Sequence, residues 1–440
     1  METAGSLVTS WIGITCIIIF VIGYFFIASE ERYHINKAKT ALFIGTLMFV
    51  LLGIYVAVTS GDTDHLHESV KELIEEIAEI FFFLFVAMTY IETLIERKVF
   101  ETLKYKLVSS GYGYRKLFWL TGLLAFFISP VADNLTTALI LSTVLLTIDR
   151  TRKEFLVPGA INIVVAANAG GAWSPFGDIT TLMVWQKGYA PFVDFFFIFP
   201  SSIGGWLLTA FLLSRFVPDE KPKFDASSEE AVHMKTGARK VIALGAITIF
   251  SAVMCEQVLH IPPMWGMMFG LSLLSLYSYY LKRCGADGFN VYTSISKVEY
   301  DTLLFFFGIL SAVGALGYVG YLQLVAQGYE AIGPLAANIC VGLISAIVDN
   351  IPVMKAILDA KPGMGIDQWL FLALTVGTGG SLISFGSAAG VGVMGRLRGT
   401  YTFMTHMRLA WTVALGFILS ILIWYVQFEV LGWYYLTGEH

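Results

Sequence analysis

Charged residues make up only 14% of this 440-residue chain and hydrophobic ones 56%, against a charged fraction of about a quarter in ordinary soluble domains. That shortage excludes a water-soluble globule: so little charge cannot clothe a surface in water, and the solvent has to be lipid. Cysteine is also scarce. Cys16, Cys255, Cys284 and Cys340 stand in or beside apolar segments without metal-type or redox-type spacing, which leaves them a packing role. No polar stretch is long enough for a separate soluble domain. The first apolar run lacks a basic flank, and no small-residue cleavage site precedes a soluble body, so it is expected to be a retained helix and not a leader. The net charge of −5 says little about partners, because placement of Lys and Arg matters more than their sum in a membrane chain. No nucleic-acid partner is expected.

What the chain has in abundance is apolar runs of spanning length, at roughly Leu7–Ala28, Ala41–Thr59, Ile80–Ile95, Pro191–Leu213, Val241–Val258 and Leu409–Trp424. The expected class is therefore an all-α polytopic membrane protein. Of the 28 Lys and Arg residues, 24 cluster in six places, 29–39, 97–116, 150–153, 215–240, 282–297 and 396–408, leaving Lys71, Lys187, Lys355 and Lys361 outside. Placing all six clusters in the cytoplasm satisfies the positive-inside tendency and puts both termini outside. Residues 117–148 then begin and end on one side, so they are expected to form a re-entrant hairpin turning near Ser129–Asn134. Residues 334–360 are expected to form a similar hairpin from the opposite face.

Two motifs recur in the same order. Ile128-Ser129-Pro130-Val131-Ala132-Asp133-Asn134 matches Ile344-Ser345-Ala346-Ile347-Val348-Asp349-Asn350 at an offset of 216, and Gly170-Gly171 through Phe176-Gly177 matches Gly379-Gly380 through Phe385-Gly386 at an offset of 209. Glu79 before Phe81-Phe82-Phe83 is echoed by Asp301 before Phe305-Phe306-Phe307. With one hairpin inside and one outside, the halves are expected to be inverted-topology repeats, each with a re-entrant hairpin and an interrupted transmembrane helix. The expected boundaries are N-terminal transmembrane helices over 1–71, a first repeat over 72–214, a cytoplasmic loop over 215–240, linking helices over 241–298 and a second repeat over 299–440. Glycine and proline disfavour continuous helix at Gly170, Gly171, Pro175, Gly377, Gly379, Gly380 and Gly386, and freed backbone at membrane depth is tolerated where it lines a cavity.

Asp133, Asp178 and Asp349 lie in apolar surroundings, where each costs several kcal/mol unless paired, hydrated or protonated. Asn134 and Asn350 add amide oxygens, and Ser129 and Ser345 each lie four residues before an Asp. Such hard oxygen suits alkali or alkaline-earth cations. It also suits protons, because burial favours the protonated carboxyl and a bound cation the ionised one. Na⁺ is expected at Asp133, Asn134, Asp349 and Asn350, with the two aspartates acting as one site. Thr136, Thr137, Thr180, Thr181 and Thr375 are candidate hydroxyl donors, Glu79 and Asp301 solvated, gating or transport carboxylates. Lys355 is expected to snorkel outward. His65 and His67 are placed in an outer loop, Gly61–Ser69, and His406 has no clear role.

The segments A-D-N-L-T-T at 132–137, N-A-G-G-A-W-S-P-F-G-D-I-T-T at 168–181 and V-D-N-I-P at 348–352 resemble the signatures of the NhaD-type Na⁺/H⁺ antiporters, a family of the ion transporter superfamily that also holds dicarboxylate and arsenite carriers. The resemblance runs from about Glu72 to Trp424. It implies exchange of Na⁺ or Li⁺ for H⁺ at a bacterial cytoplasmic membrane, no cofactor, no catalysed reaction, and a homodimer with a mobile transport region. Family-important polar residues carried over by position are Glu79, Ser129, Asp133, Asn134, Asn168, Asp178, Thr180, Thr181, Asp301, Thr302, Ser345, Asp349, Asn350, Ser384 and Ser387. In the dicarboxylate relatives the hairpin tips carry Ser-Asn-Thr where this chain has Asp133-Asn134-Leu135 and Asp349-Asn350-Ile351, which puts negative charge where an anionic substrate would sit. The rival readings are a Na⁺-coupled carrier of an oxyanion or organic anion and an intramembrane aspartyl protease, whose G-x-G-D segment is absent.

Overall fold

The computed structural model describes residues 7–28, 30–33, 35–59, 63–222, 232–285 and 289–433. Among them every regular element is helical, and eight helices are long and apolar enough to cross a membrane. The six apolar runs all fall in helices, with the Pro191–Leu213 run opening in a 3₁₀ turn, Phe192–Ile198. Large apolar side chains such as Phe43 at 64% exposure face outward, as they do on a surface wetted by lipid. Gly61 of the expected outer loop and Lys223 of the 215–240 cluster lie outside the described residues. His65 and His67 are not in a loop: the helix Thr63–Glu96 already contains them. Of the cysteines only Cys16 is buried, while Cys284 and Cys340 are exposed.

The chain divides into two compact units. One comprises 1–96, 239–333 and 355–362. Within it, helices Lys37–Thr59 and Tyr300–Val319 cross where each has a glycine: a Cβ on Gly45 would lie 2.2 Å from the Gly308 carbonyl oxygen, and one on Gly308 2.3 Å from the Ala41 carbonyl carbon. Small residues allow this approach, and dispersion between backbones holds it without help from the hydrophobic effect. Tyr90 donates its hydroxyl to the Gly270 carbonyl at 2.8 Å and accepts from Thr248 at 2.7 Å, satisfying polar atoms between three helices.

The other unit comprises 97–238, 334–354 and 363–440. Its principal helices are α1 (Tyr114–Ala132), α2 (Asn134–Ile148), α3 (Lys153–Ala172), α4 (Ile179–Gln186) and α5 (Phe199–Ser214), then α6 (Pro334–Ser345), α7 (Asn350–Ala360), α8 (Ile366–Gly379), α9 (Ala388–Arg396) and α10 (Ala410–Tyr425). The division between units falls within α7, after Met354. Helix α3 runs through the middle of this unit, buried on every side. Phe126 seals α1 against α5 by stacking on Trp206, with ring centroids 5.1 Å apart.

The two motif offsets recur in three dimensions. Ser129 on α1 donates to the Ala167 carbonyl of α3 at 2.6 Å, and Ser345 on α6 donates to the Val376 carbonyl of α8 at 3.0 Å. Gly170 meets α1 with its would-be Cβ 2.3 Å from the Phe126 carbonyl oxygen, as Gly379 meets α6 at 2.1 Å from that of Gly342. Helix α3 ends at Ala172 and α4 starts after Asp178; α8 ends at Gly379 and α9 starts after Ser387. The glycines thus interrupt each helix and let the broken ends fold back on themselves, Gly171 against Gly177 and Gly380 against Gly386.

Candidate functional site

Four helices in this unit follow directly on an oxygen-bearing residue. Asp133 stands before α2, Asp178 before α4, Asp349 before α7 and Ser387 before α9. A helix start presents unpaired N–H groups and a positive dipole end, so a carboxylate or hydroxyl is favoured there. Asp133 accepts from the Thr136 N–H and hydroxyl, both at 2.8 Å, and adopts φ 53°, ψ 161°. That backbone region is all but reserved for glycine and is tolerated where surrounding structure imposes it, commonly at functional sites.

Asp178 is the hub. Its carboxylate receives the Asn134 amide at 2.8 Å, the Asn350 amide at 3.2 Å and the Thr180 N–H at 3.2 Å. Asn134 also donates to the Asn168 carbonyl oxygen at 3.1 Å, and the Asn168 amide donates to Ser381 at 2.8 Å and Ser387 at 2.9 Å. Every member is buried, Asp178 to 4% exposure. Three features of this arrangement bear on chemistry. Among the described residues all hydrogen-bond donors to Asp178 are uncharged, and none of them supplies a cation to balance an ionised carboxylate. The oxygens of Asp178, three asparagines and two serines are hard donors that suit an alkali ion. Asp133 and Asp349 are half-buried and close enough to act on Asp178 electrostatically.

Of the residues singled out from sequence, Asn134, Asn168, Asp178, Asn350 and Ser387 come together directly. Ser129 and Ser345 do not join them: their hydroxyls donate to the Ala167 and Val376 carbonyls, holding α1 to α3 and α6 to α8. Thr181 bonds the backbone of its own turn at Ser174 and Asp178. Thr375 does the same in α8, to Leu372. Thr180 and Ser384 are buried beside the broken segments. Glu79, Asp301 and Thr302 belong to the other unit, where the Asn36 amide donates to Asp301 at 2.6 Å and Thr302 donates to Glu299 at 3.1 Å. His406 is buried, bonded to the Tyr401 hydroxyl and the Leu382 carbonyl. Ser381 is a member that the sequence reading did not single out; its signal was a small polar residue in the second broken segment, where the first has Ala172. Lys355 does not snorkel. It is 2% exposed, and its ammonium lies 2.8 Å from both Glu76 carboxylate oxygens and 2.7 Å from Asp359. Two carboxylates offer the head group inside what it would otherwise seek at the surface.

Residues 5–377 match the family model described as Citrate transporter. The chain is 42% identical to the Na(+)/H(+) antiporter NhaD of Alkalimonas amylolytica, across 94% of this chain and 90% of that protein. It is 42% identical to NhaD of Vibrio cholerae, across 94% and 91%. The Sodium/proton antiporter 1 of Arabidopsis thaliana is 30% identical across 88% of this chain and 68% of its own length.

Proposed function

The chain belongs to the NhaD Na⁺/H⁺ antiporters, and as an exchanger of Na⁺ for H⁺ we propose that it works through competition of the two ions for the Asp178 cluster. It is a multi-pass membrane protein and a transporter by family, not an enzyme.

The observation that supports this site is a buried carboxylate served, among the described residues, by uncharged donors. An ionised group of this kind costs several kcal/mol in a low-dielectric interior unless a counter-charge joins it. A proton removes the charge, and a sodium ion balances it. Because one carboxylate cannot take both, occupancy alternates, and exchange follows whenever the site is exposed to each side in turn. When Na⁺ enters, the amide oxygens of Asn134, Asn168 and Asn350 and the hydroxyls of Ser381 and Ser387 are the ligands within reach of small rotations. Asp133 and Asp349 add the remaining field, drawing a cation towards helix starts that would by themselves favour an anion. That inversion of charge argues against the anion-carrier reading.

The matched elements at offsets 216 and 209 support an internal repeat, and the distribution of basic residues supports its inversion, with hairpins re-entering from opposite faces, the boundaries read from the sequence and both termini outside. A homodimer in a bacterial inner membrane accompanies this reading, with Na⁺ or Li⁺ as the exchanged ion. Two measurements test it. Purified protein in liposomes should collapse a proton gradient on addition of Na⁺ with no organic anion present, and Asp178→Asn should abolish that response while leaving the yield of folded protein unchanged. Exchange retained by the variant rejects the site. Cysteine labelling should place exposed residues near Arg97 and near Arg150 on one side of the membrane; opposite sides would reject the hairpin.

A further inference from the structure

Glycine is among the poorest helix formers, so each glycine within a membrane helix of this unit needs a reason. For most, contact supplies it. A Cβ on Gly170, Gly171, Gly177, Gly379 or Gly386 would fall between 2.1 and 2.5 Å from neighbouring backbone atoms, and one on Gly380 would lie 2.9 Å from the Gly386 carbonyl oxygen. A Cβ on Gly395 of α9 would stand in open space, with nothing within 4 Å, and Gly377 differs from both kinds. It sits inside α8 with no positive φ, and a Cβ there would meet nothing nearer than Ala172 Cβ at 3.7 Å, the Asn168 carbonyl oxygen at 3.9 Å and Asp178 Oδ2 at 3.9 Å. Those are ordinary van der Waals distances. Neither packing nor backbone strain calls for glycine at this position.

What remains is the direction it faces. At the 209 offset Gly377 is the counterpart of Asn168, whose side chain fills the equivalent place in the first half and joins the hydrogen-bond network. In the second half that side-chain volume is absent, on the side where Asp178 presents Oδ2 and Asn168 presents its backbone oxygen. We propose that Gly377 is a specificity-determining residue which keeps room beside Asp178 Oδ2 for the transported alkali ion, and that the Asn168 backbone carbonyl is one of the ion's ligands. This rests on the Asp178 reading above and adds to it the ion's position and a limit on its size. An ion ligated by an oxygen at about 2.4 Å, the short end of the range for a cation of this radius, cannot share that side of the carboxylate with a methyl group 3.9 Å from the same oxygen. A smaller ion, drawn closer to its ligands, is displaced less.

The test compares Gly377→Ala, Gly377→Ser and Asp178→Asn with the parent protein in liposomes, measuring half-saturating Na⁺ and Li⁺ for proton-gradient collapse per folded molecule, together with thermal stability. Gly377→Ala is expected to melt no lower than the parent, to raise half-saturating Na⁺ at least tenfold and to raise half-saturating Li⁺ less. Gly377→Ser, which returns an oxygen along with the bulk, is expected to fall between alanine and parent for Na⁺. Unchanged Na⁺ saturation in both variants overturns the proposal, as does an equal loss for the two ions. If those results come while Asp178→Asn is inactive, only the inference about Gly377 fails; if Asp178→Asn still exchanges ions, the Asp178 reading itself fails.

Discussion

Replacing Lys355 by methionine removes one charge from a buried trio and keeps most of the apolar stem. The ammonium uses three charge-assisted contacts, two to Glu76 and one to Asp359, all at 2.7 to 2.8 Å. The lysine side chain is 2% exposed and the two carboxylates 14% and 19%. Deleting one partner of a buried pair costs about 3–5 kcal/mol, because the other partner is left charged and unpaired. With both carboxylates retaining some contact with solvent, the low end applies, about 3 kcal/mol. At the unfolding entropy per residue of globular chains, that corresponds to a drop in melting temperature of about 3 °C for a protein this long. The assay is thermal unfolding of detergent-purified protein, followed by tryptophan fluorescence. The triple variant Lys355→Met with Glu76→Gln and Asp359→Asn is expected to recover most of the loss, since no buried charge is then stranded. Unchanged melting of Lys355→Met refutes the reasoning, and so does a triple variant that melts lower than the single one.

Asp133→Asn and Asp349→Asn should each abolish Na⁺-driven proton flux with normal membrane abundance, because asparagine keeps an oxygen and the size but not the charge; full exchange by either variant removes that residue from the ion site. Gly308→Ala should lower thermal stability by about 1–3 kcal/mol, the usual cost of forced overpacking, since its Cβ would meet the Ala41 backbone at 2.3 Å. A melting curve identical to the parent's would show that the two helices separate without cost. Asp149, beyond the end of α2, is partly buried, which opposes its charge, but hydrogen bonds from Tyr114 and Thr151 prevail and hold its carboxyl down to about 2. A folded value below the ordinary 3.8 makes its stabilisation complete above about pH 4 and lost as pH falls towards 2. Asp149→Asn should therefore melt below the parent at neutral pH and converge with it near pH 2; a constant gap across that range would contradict the assignment.

Local chemistry made much of this protein legible in one dimension. A lack of charge and a series of apolar runs dictate a helical membrane chain, because each residue's solvent preference is its own property. Paired glycines at Gly170-Gly171 and Gly379-Gly380 mark where helices break, because helix propensity is local and glycine lowers it wherever it stands. Aspartate followed by asparagine at Asp133 and Asp349 marks helix starts for the same reason. The tertiary structure decided which of three aspartates is the hub. Asn134 and Asn350 lie 44 and 172 residues from Asp178 and meet it only because separate helices begin at one place, and no spacing within a segment encodes that meeting. It likewise turned Lys355 from a surface residue into a buried one, since one of the two carboxylates that hold it, Glu76, is 279 residues away. And it distinguished Gly377 from its glycine neighbours: a sequence shows that a side chain is absent, but only packed atoms show whether its place is filled by backbone or left facing a carboxylate.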